Sequence, residues 1–236
     1  MIRKSEGRQA PWLLVCLSLV LTGGCSRTLV EQAIEARGGE MSTYSRVVSA
    51  EVLSGMPGTW AWEVDFEVPS SFRWSLETFG EDQTLLFDGE TVRYRLGAIL
   101  LPARPGDAAT RSQARWFGVT TLDVLTEAGV RWRELDPSEI PGPYRRGLRA
   151  TFDDLEEPFD LLFDEDLLLG RASGMLAVPP IGRGRVDATF SDYRRVGGLL
   201  LPFEADYHLE GRPYMVEKTH SWRPNLRFGA GAFAGQ

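Results

Sequence analysis

The clearest pattern in the chain is a strict alternation of large apolar residues with polar or small ones between positions 59 and 76. The apolar positions are Trp60, Trp62, Val64, Phe66, Val68, Phe72, Trp74 and Leu76. Side chains two residues apart share one face of a strand, so the pattern predicts two amphipathic strands, each with one dry and one wet face. Turn-forming residues at 56–58 and 69–71 bound the strands and favour an antiparallel pair.

A hairpin is predicted next. Residues 84–87 and 92–96 continue the alternation, and Asp88-Gly89 between them supplies the positive φ angles that a tight turn requires. The two-residue period returns in several runs between residues 130 and 222, which gives about ten or eleven short strands in all. Closely spaced strands of this kind predict one mainly β domain, with a single antiparallel sheet curled into an open or closed barrel, or a sandwich.

Two segments have a helical period instead. Residues 28–37 place apolar side chains on one face and end at Gly38-Gly39, which predicts an N-terminal helix. Residues 107–128 carry an apolar stripe that includes Phe117 and Leu122, which predicts a helical segment in the middle of the chain. Gly118 and the β-branched residues after it weaken the centre of this segment and favour two short helices.

The N-terminal residues have the three parts of a secretory signal: a basic start, an apolar run at 12–21 that is too short to cross a bilayer, and Gly23-Gly24 ahead of Cys25. The glycines and the cysteine resemble the lipobox of bacterial lipoproteins, whose cysteine is acylated and becomes the first residue. The resemblance implies a signal peptide at 1–24 and a lipid anchor at Cys25. We expect one domain at 25–223 and a loose tail at 224–236.

Composition limits the classes of function. The chain carries a net charge of −7 without any block of lysine or arginine, so we expect no nucleic-acid partner. Of its two cysteines, Cys16 would leave with the signal and Cys25 would carry lipid, so no disulfide is expected.

The sequence contains no convincing catalytic or metal-binding motif. The two histidines, His208 and His220, lie inside strand patterns without the spacing of a zinc site. Phosphate-binding glycine loops and nucleophile elbows are absent from the sequence, and the acidic clusters at 153–157 and 164–166 lack the ligand pattern of a calcium loop. We therefore expect no enzyme, no metal and no cofactor.

The large number of aromatic side chains on the predicted strands is open to two interpretations. It fits a well-filled core, and it fits a curled sheet that presents an apolar face to a ligand, with the middle helix as a lid. The apolar segment Ile99, Leu100 and Leu101 lies among prolines and is too apolar for an ordinary solvated loop.

Three local segments together resemble the LolA/LolB-like superfamily of envelope lipoprotein carriers: EARGGE at 35–40, FDGET at 87–91 and SDYRRVGGLLLPF at 191–203. The resemblance implies an incomplete, half-open β-barrel whose concave side is plugged by helices and binds acyl chains without a cofactor. It also implies an apolar loop that contacts the membrane, for which residues 99–101 and 167–169 are the candidates. In lipoproteins of this kind, Ser26 after the cysteine favours export to the outer membrane.

We therefore expect a lipid-anchored protein of the bacterial outer membrane that faces the periplasm and binds acyl chains of a lipoprotein or lipid in a groove. The groove residues expected from the pattern are Trp60, Trp62, Val64, Phe66, Trp74, Leu76, Phe117, Leu122 and Phe190. The alternative is a structural or interaction lipoprotein with a filled core that docks an envelope protein partner.

Overall fold

A computed structural model describes residues 27–54, 57–78, 80–178 and 182–234. The predicted signal peptide and Cys25 lie outside these residues. The helices are α1 (Leu29–Arg37) and α2 (Ala108–Val119), with short 3₁₀ turns at Asp123–Thr126 and Pro137–Glu139. The strands are β1 (Thr43–Val52), β2 (Gly58–Glu67), β3 (Ser71–Thr78), β4 (Glu81–Phe87), β5 (Thr91–Leu96), β6 (Ile99–Leu100), β7 (Arg104–Pro105), β8 (Val130–Glu134), β9 (Arg146–Phe152), β10 (Phe159–Phe163), β11 (Leu169–Val178), β12 (Gly182–Val196), β13 (Leu199–Leu209) and β14 (Arg212–Pro224).

In the described ranges these fourteen strands form one antiparallel sheet. Its order is β6-β5-β4-β3-β2-β1-β14-β13-β12-β11-β10-β9-β8, and β7 pairs with β5. The chain thus builds an N-terminal meander (β1–β7) and a C-terminal meander (β8–β14), and the pairing of β1 with β14 joins the two. Among the described residues the two edge strands, β6 and β8, do not pair with each other. The sheet is therefore curled but not closed, as the resemblance predicted.

The hairpins follow the alternation and turn chemistry of the sequence. Trp74 on β3 pairs with Val64 on β2 and Leu85 on β4, which confirms the predicted antiparallel order. At the β4–β5 turn, the Asp88 carboxylate accepts hydrogen bonds from the backbone amides of Glu90 and Thr91, and Gly89 has a φ of 99°. A side chain that bonds its own backbone two residues on is the mechanism by which aspartate favours turns.

Helix α1 is fixed at both ends by local chemistry. Thr28 and Glu31 form a reciprocal capping box at its start. At its end Gly38 has a φ of 111°, and a Cβ there would lie 2.5 Å from the carbonyl oxygen of Gly198 in the β12–β13 turn. Glycine is therefore required both by the backbone conformation and by close packing.

The middle of the chain forms two helical pieces, as predicted. Asp107 caps α2 by accepting a hydrogen bond from the backbone amide of Thr110 at 2.8 Å. The helix ends near Thr120, Leu122 adopts a left-handed conformation with a φ of 57°, and a 3₁₀ turn follows. A Cβ at Gly118 would lie 3.1 Å from the Phe66 ring, so this glycine lets α2 approach the sheet closely.

Two apolar clusters fill the concave side of the sheet. The first lies beneath α1 and α2 on the C-terminal meander; its large side chains include Trp116, Phe152, Phe159, Phe163 and Tyr207. The second lies mainly on the N-terminal meander; its large side chains include Tyr44, Phe66, Phe72, Phe87 and Trp222. Partly buried Phe117 packs against both clusters, so α2 bridges the two halves of the core.

The structure departs from the sequence pattern at two places. Asp65 falls on the predicted wet face of β2, yet it is only 2% exposed, because it forms an ion pair with Arg73 on the neighbouring strand. The segment predicted as a loose tail packs on the protein as far as residue 234, with the Phe233 side chain buried. Its Asn225 amide donates to the Thr43 carbonyl at 2.8 Å.

Candidate functional site

The concave face of β2–β5 carries a row of apolar side chains that is buried on β2 and half-buried on β3, β4 and β5. In one row Val64, Trp74, Leu85 and Tyr94 are successive cross-strand partners. In the next row Trp62 pairs with Leu76. We call the half-buried members of these rows, Trp62, Trp74, Leu76, Leu85 and Tyr94, the apolar strip. An apolar surface of this kind that solvent can reach marks an interaction site more often than an isolated exposed residue does.

The strip ends at an exposed apolar loop. Ile99, Leu100 and Leu101, which we call the edge loop, are 66%, 41% and 39% exposed. The Leu101 amide donates to the Tyr94 carbonyl at 2.8 Å, so the edge loop is attached directly to the strip. On the same side the Arg104 guanidinium stacks 4.9 Å from the centre of the Tyr94 ring and donates to its hydroxyl at 3.1 Å.

Helix α2 covers the remainder of the concave face. Its Trp116 ring packs edge-on against Phe159, with ring centres 5.9 Å apart, and Phe117 packs in the same way on Phe72 at 5.3 Å. The Ser112 hydroxyl donates to the Met175 carbonyl on β11 at 2.7 Å. The helix therefore lies mainly over the C-terminal meander and leaves the strip only partly covered.

Arg115 holds the outer side of α2. Its guanidinium pairs with Asp154 at 3.1 Å and donates to the Pro69 carbonyl at 3.1 Å, so it joins the β9–β10 turn to the β2–β3 turn. It also lies 5.1 Å from the centre of the Phe152 ring. These contacts connect both meanders through one side chain on the helix.

The nine predicted groove residues do not form one open surface. Val64, Phe66, Leu122 and Phe190 are buried in the two clusters. Trp60, Trp62, Trp74, Leu76 and Phe117 are half-buried. Leu85 and Tyr94 belong to the strip but were not selected from the sequence, although the alternation in 84–87 and 92–96 already places them on the same face.

The interior beneath the helices is closely packed. A cavity of about 10 Å³ lies between Leu122, Leu167 and Tyr193, which is room for about one water molecule. A larger cleft of about 410 Å³ lies on the opposite, convex face, lined by Arg73, Arg95 and the packed tail. The second predicted membrane loop, 167–169, is not exposed: Leu169 is buried and its two neighbours are half-buried beside the small cavity.

Buried polar groups lie between the two clusters. Arg46 on β1 forms an ion pair with Glu217 on β14 and donates to the Thr219 hydroxyl at 2.8 Å. Burial alone would lower the pKa of Arg46, but the Glu217 carboxylate together with the Tyr207 and Tyr44 hydroxyls outweighs burial, and the pKa is raised. Burial also raises the pKa of the neighbouring Tyr44 hydroxyl, which donates to the Phe117 carbonyl at 3.1 Å.

A second buried ion pair ties α1 to the turn after α2. The Arg37 guanidinium donates to Asp123 at 2.9 Å and to the Thr121 carbonyl. The same Asp123 carboxylate accepts from the Met41 amide at 2.8 Å. Burial lowers the pKa of Arg37, and the Asp123 charge opposes that shift. The pair therefore fixes the start of the 3₁₀ turn against the first helix.

The described residues contain no group of three histidine, cysteine or acidic side chains placed to hold a metal ion. His220 contacts the Ser49 hydroxyl at 2.7 Å on the exposed side of β14, without an acidic partner in that contact. Among the helices within the described ranges, none combines the length and the apolar character needed to cross a bilayer.

No protein-family model matches the chain, and no curated protein matches it. Solved structures do. A LolA superfamily protein from Nitrosomonas europaea superposes with a TM-score of 0.60 at 11% identity, over 87% of this chain and 95% of that one. A domain named for outer membrane lipoprotein sorting from Vibrio parahaemolyticus gives 0.56 at 9% identity, over 87% and 95%. A DUF1329 family protein from Desulfovibrio piger gives 0.56 at 12% identity, over the same shares. The chain therefore has a LolA-like fold, which confirms the fold that the sequence resemblance implied.

Proposed function

We propose that this protein is a non-enzymatic, lipid-anchored envelope protein that binds acyl chains of a lipoprotein or lipid on the apolar strip, in lipid or lipoprotein transport. The observation that carries the proposal is the strip itself: five large apolar side chains remain half-buried on the concave face and lead to the exposed edge loop. The names of the LolA superfamily and lipoprotein-sorting neighbours support the same class of function.

The strip offers enough apolar contact to hold a chain. Each methylene removed from water contributes about 0.8 kcal/mol, so a dozen methylenes would stabilise the complex by about 10 kcal/mol before ordering costs. The concave curvature lets side chains from four neighbouring strands contact one linear ligand. An acyl chain is linear, apolar and flexible, and it fits such a surface better than a rigid polar molecule does.

The anchor and the edge loop extend the proposal to the membrane. An acylated Cys25 would hold the domain at the outer membrane, facing the periplasm, and residues 99–101 would insert their apolar side chains into the interface. The intact mass of protein extracted from membranes tests the anchor. The mass should exceed that of the chain from Cys25 onward by a diacylglyceryl group, and Cys25→Ser should abolish the increase.

The groove is tested by native mass spectrometry of the domain without residues 1–25, purified in the absence of detergent and followed by lipid extraction. We expect a bound acyl species. Leu85→Asn should reduce its occupancy, because Leu85 belongs to the strip. Thr84→Asn is the matched control on the opposite face of β4, and it should leave occupancy unchanged. A lipid-free mass with no response to fatty-acid probes would contradict the proposal.

The close packing beneath the helices favours a second candidate, a structural or interaction lipoprotein with a filled core. On this alternative the edge loop, with the outer edge of β6, docks an envelope protein. Recovery of one stoichiometric protein partner together with a lipid-free groove would support it. Loss of that partner in Ile99→Ser would locate the contact at the edge loop.

A further inference from the structure

The indole nitrogen of Trp74 is buried, and it has no hydrogen-bond acceptor in the described part of the chain. Native proteins pair roughly nine-tenths or more of their buried polar groups, so an unpaired donor requires an explanation. The buried indole of Trp222 in the second cluster follows the rule, because its nitrogen donates to the Pro202 carbonyl at 2.9 Å. Trp74 is therefore an exception within its own core.

The neighbours of Trp74 within its own row of the sheet are apolar. Its cross-strand partners are Val64 and Leu85, and the Trp62 ring lies edge-on with ring centres 6.4 Å apart. The closest polar side chain in the adjacent row is Gln83, which pairs with Leu76 and gives Trp74 no hydrogen bond. No described side chain next to Trp74 thus supplies an acceptor for the indole nitrogen.

We propose that the Trp74 Nε1–H donates to a carbonyl oxygen of the ester or amide that links an acyl chain to its head group, while the chain lies along the strip. This inference rests on the proposed function and specifies its ligand class. A buried neutral carbonyl satisfies the donor, whereas an ionised carboxylate would lose its hydration among apolar side chains. The site therefore selects esterified or amide-linked chains over bare hydrocarbon and over free fatty acids.

The selection has a physical basis in the unpaired donor. In the free protein this donor is already buried without an acceptor, so an alkane leaves it unchanged. A ligand carbonyl instead gives the donor a hydrogen bond, which offsets the hydration that the carbonyl loses on binding. We expect this hydrogen bond to raise the affinity for the ester relative to the alkane about tenfold.

The test compares methyl decanoate with undecane as displacers of a fluorescent apolar probe from the full chain. The ratio of ester to alkane affinity should be about tenfold higher in wild type than in Trp74→Phe, which keeps an aromatic ring but lacks the N–H donor. Trp132→Phe on β8 is the matched control, since it removes the same atoms from an indole outside the strip, and it should keep the wild-type ratio. Circular dichroism verifies that both variants are folded.

The outcomes separate this inference from the proposed function. If both ligands displace the probe but the ester preference is the same in wild type and in Trp74→Phe, the role of Trp74 is refuted while acyl binding stands. If the ratio falls equally in Trp132→Phe, the effect does not belong to the Trp74 donor and the inference is also refuted. If neither ligand binds wild type, both the inference and the proposed function fail.

Discussion

Removing one partner of the buried Arg46–Glu217 pair should destabilise the fold far more than removing both. Arg46 is 8% exposed and Glu217 is 3% exposed, and the pair connects β1 to β14, where the two meanders meet. Arg46→Met leaves the Glu217 carboxylate buried without its partner. Breaking a buried pair in this way costs about 3–5 kcal/mol.

The double variant Arg46→Met with Glu217→Leu removes both charges at similar volume. Replacing a buried pair by apolar side chains is often neutral, so we expect the double variant to lie within about 2 kcal/mol of wild type. Equilibrium urea unfolding of wild type, both single variants and the double variant gives a double-mutant cycle. A typical domain has about 5–15 kcal/mol of stability, so each variant should retain a measurable transition.

Two results would refute this reasoning. A loss below about 1 kcal/mol in Arg46→Met would mean that the carboxylate reaches water or another donor once its partner is gone. A double variant that loses the sum of both single losses would mean that the two residues contribute independently. In either case the pair would not be the polar link between the two clusters that its geometry indicates.

Two further predictions concern packing and capping. Gly174→Ala should lower the free energy of unfolding in urea by about 1–3 kcal/mol, because the added Cβ would lie 2.3 Å from the Phe159 ring. Gly229→Ala is the control and should be neutral, because a Cβ there would meet no atom within 4 Å. Equal effects of the two substitutions would contradict the packing argument. Asp107→Ala should cost about 1 kcal/mol through loss of the α2 cap. The amide of Thr110 lowers the pKa of Asp107, so this contribution is complete above the usual value of 3.8 and is lost as pH falls below it. Asp107→Asn should keep most of the cap and remove that pH dependence; an unchanged acid limb would contradict the assignment.

The strand pattern and the turns could be predicted because they depend on neighbours in sequence. The alternation placed Trp62, Trp74 and Leu76 on one face, and the structure places them there. The pairing of β1 with β14 brings together residues about 170 positions apart, as in the Arg46–Glu217 contact, and no local pattern encodes it. The burial of Asp65 could not be predicted either, because its ion pair with Arg73 forms only when the adjacent strand pairs with β2.

The sequence predicts which strand residues share the apolar face of the candidate site, but it does not predict which of them α2 covers. Alternation cannot distinguish Phe66, which lies against Gly118 of α2, from Trp74, which lies beyond the helix on the same face. The position of α2 on the sheet depends on Trp116 and Arg115, whose partners Tyr207 and Asp154 are distant in the sequence. The unpaired indole nitrogen of Trp74 is a property of the packed neighbours, so the sequence contains no signal for it.

The distribution of polar contacts indicates where an acyl chain can enter at least cost. A ligand beneath α2 would have to separate Arg115 from Asp154 and expose both sides of the helix contact with Phe72. A ligand on the apolar strip would cover side chains that are already half-exposed and would leave both apolar clusters and the Arg46 pair intact. We therefore expect an acyl chain to bind on the strip, entering from the edge loop, rather than beneath α2.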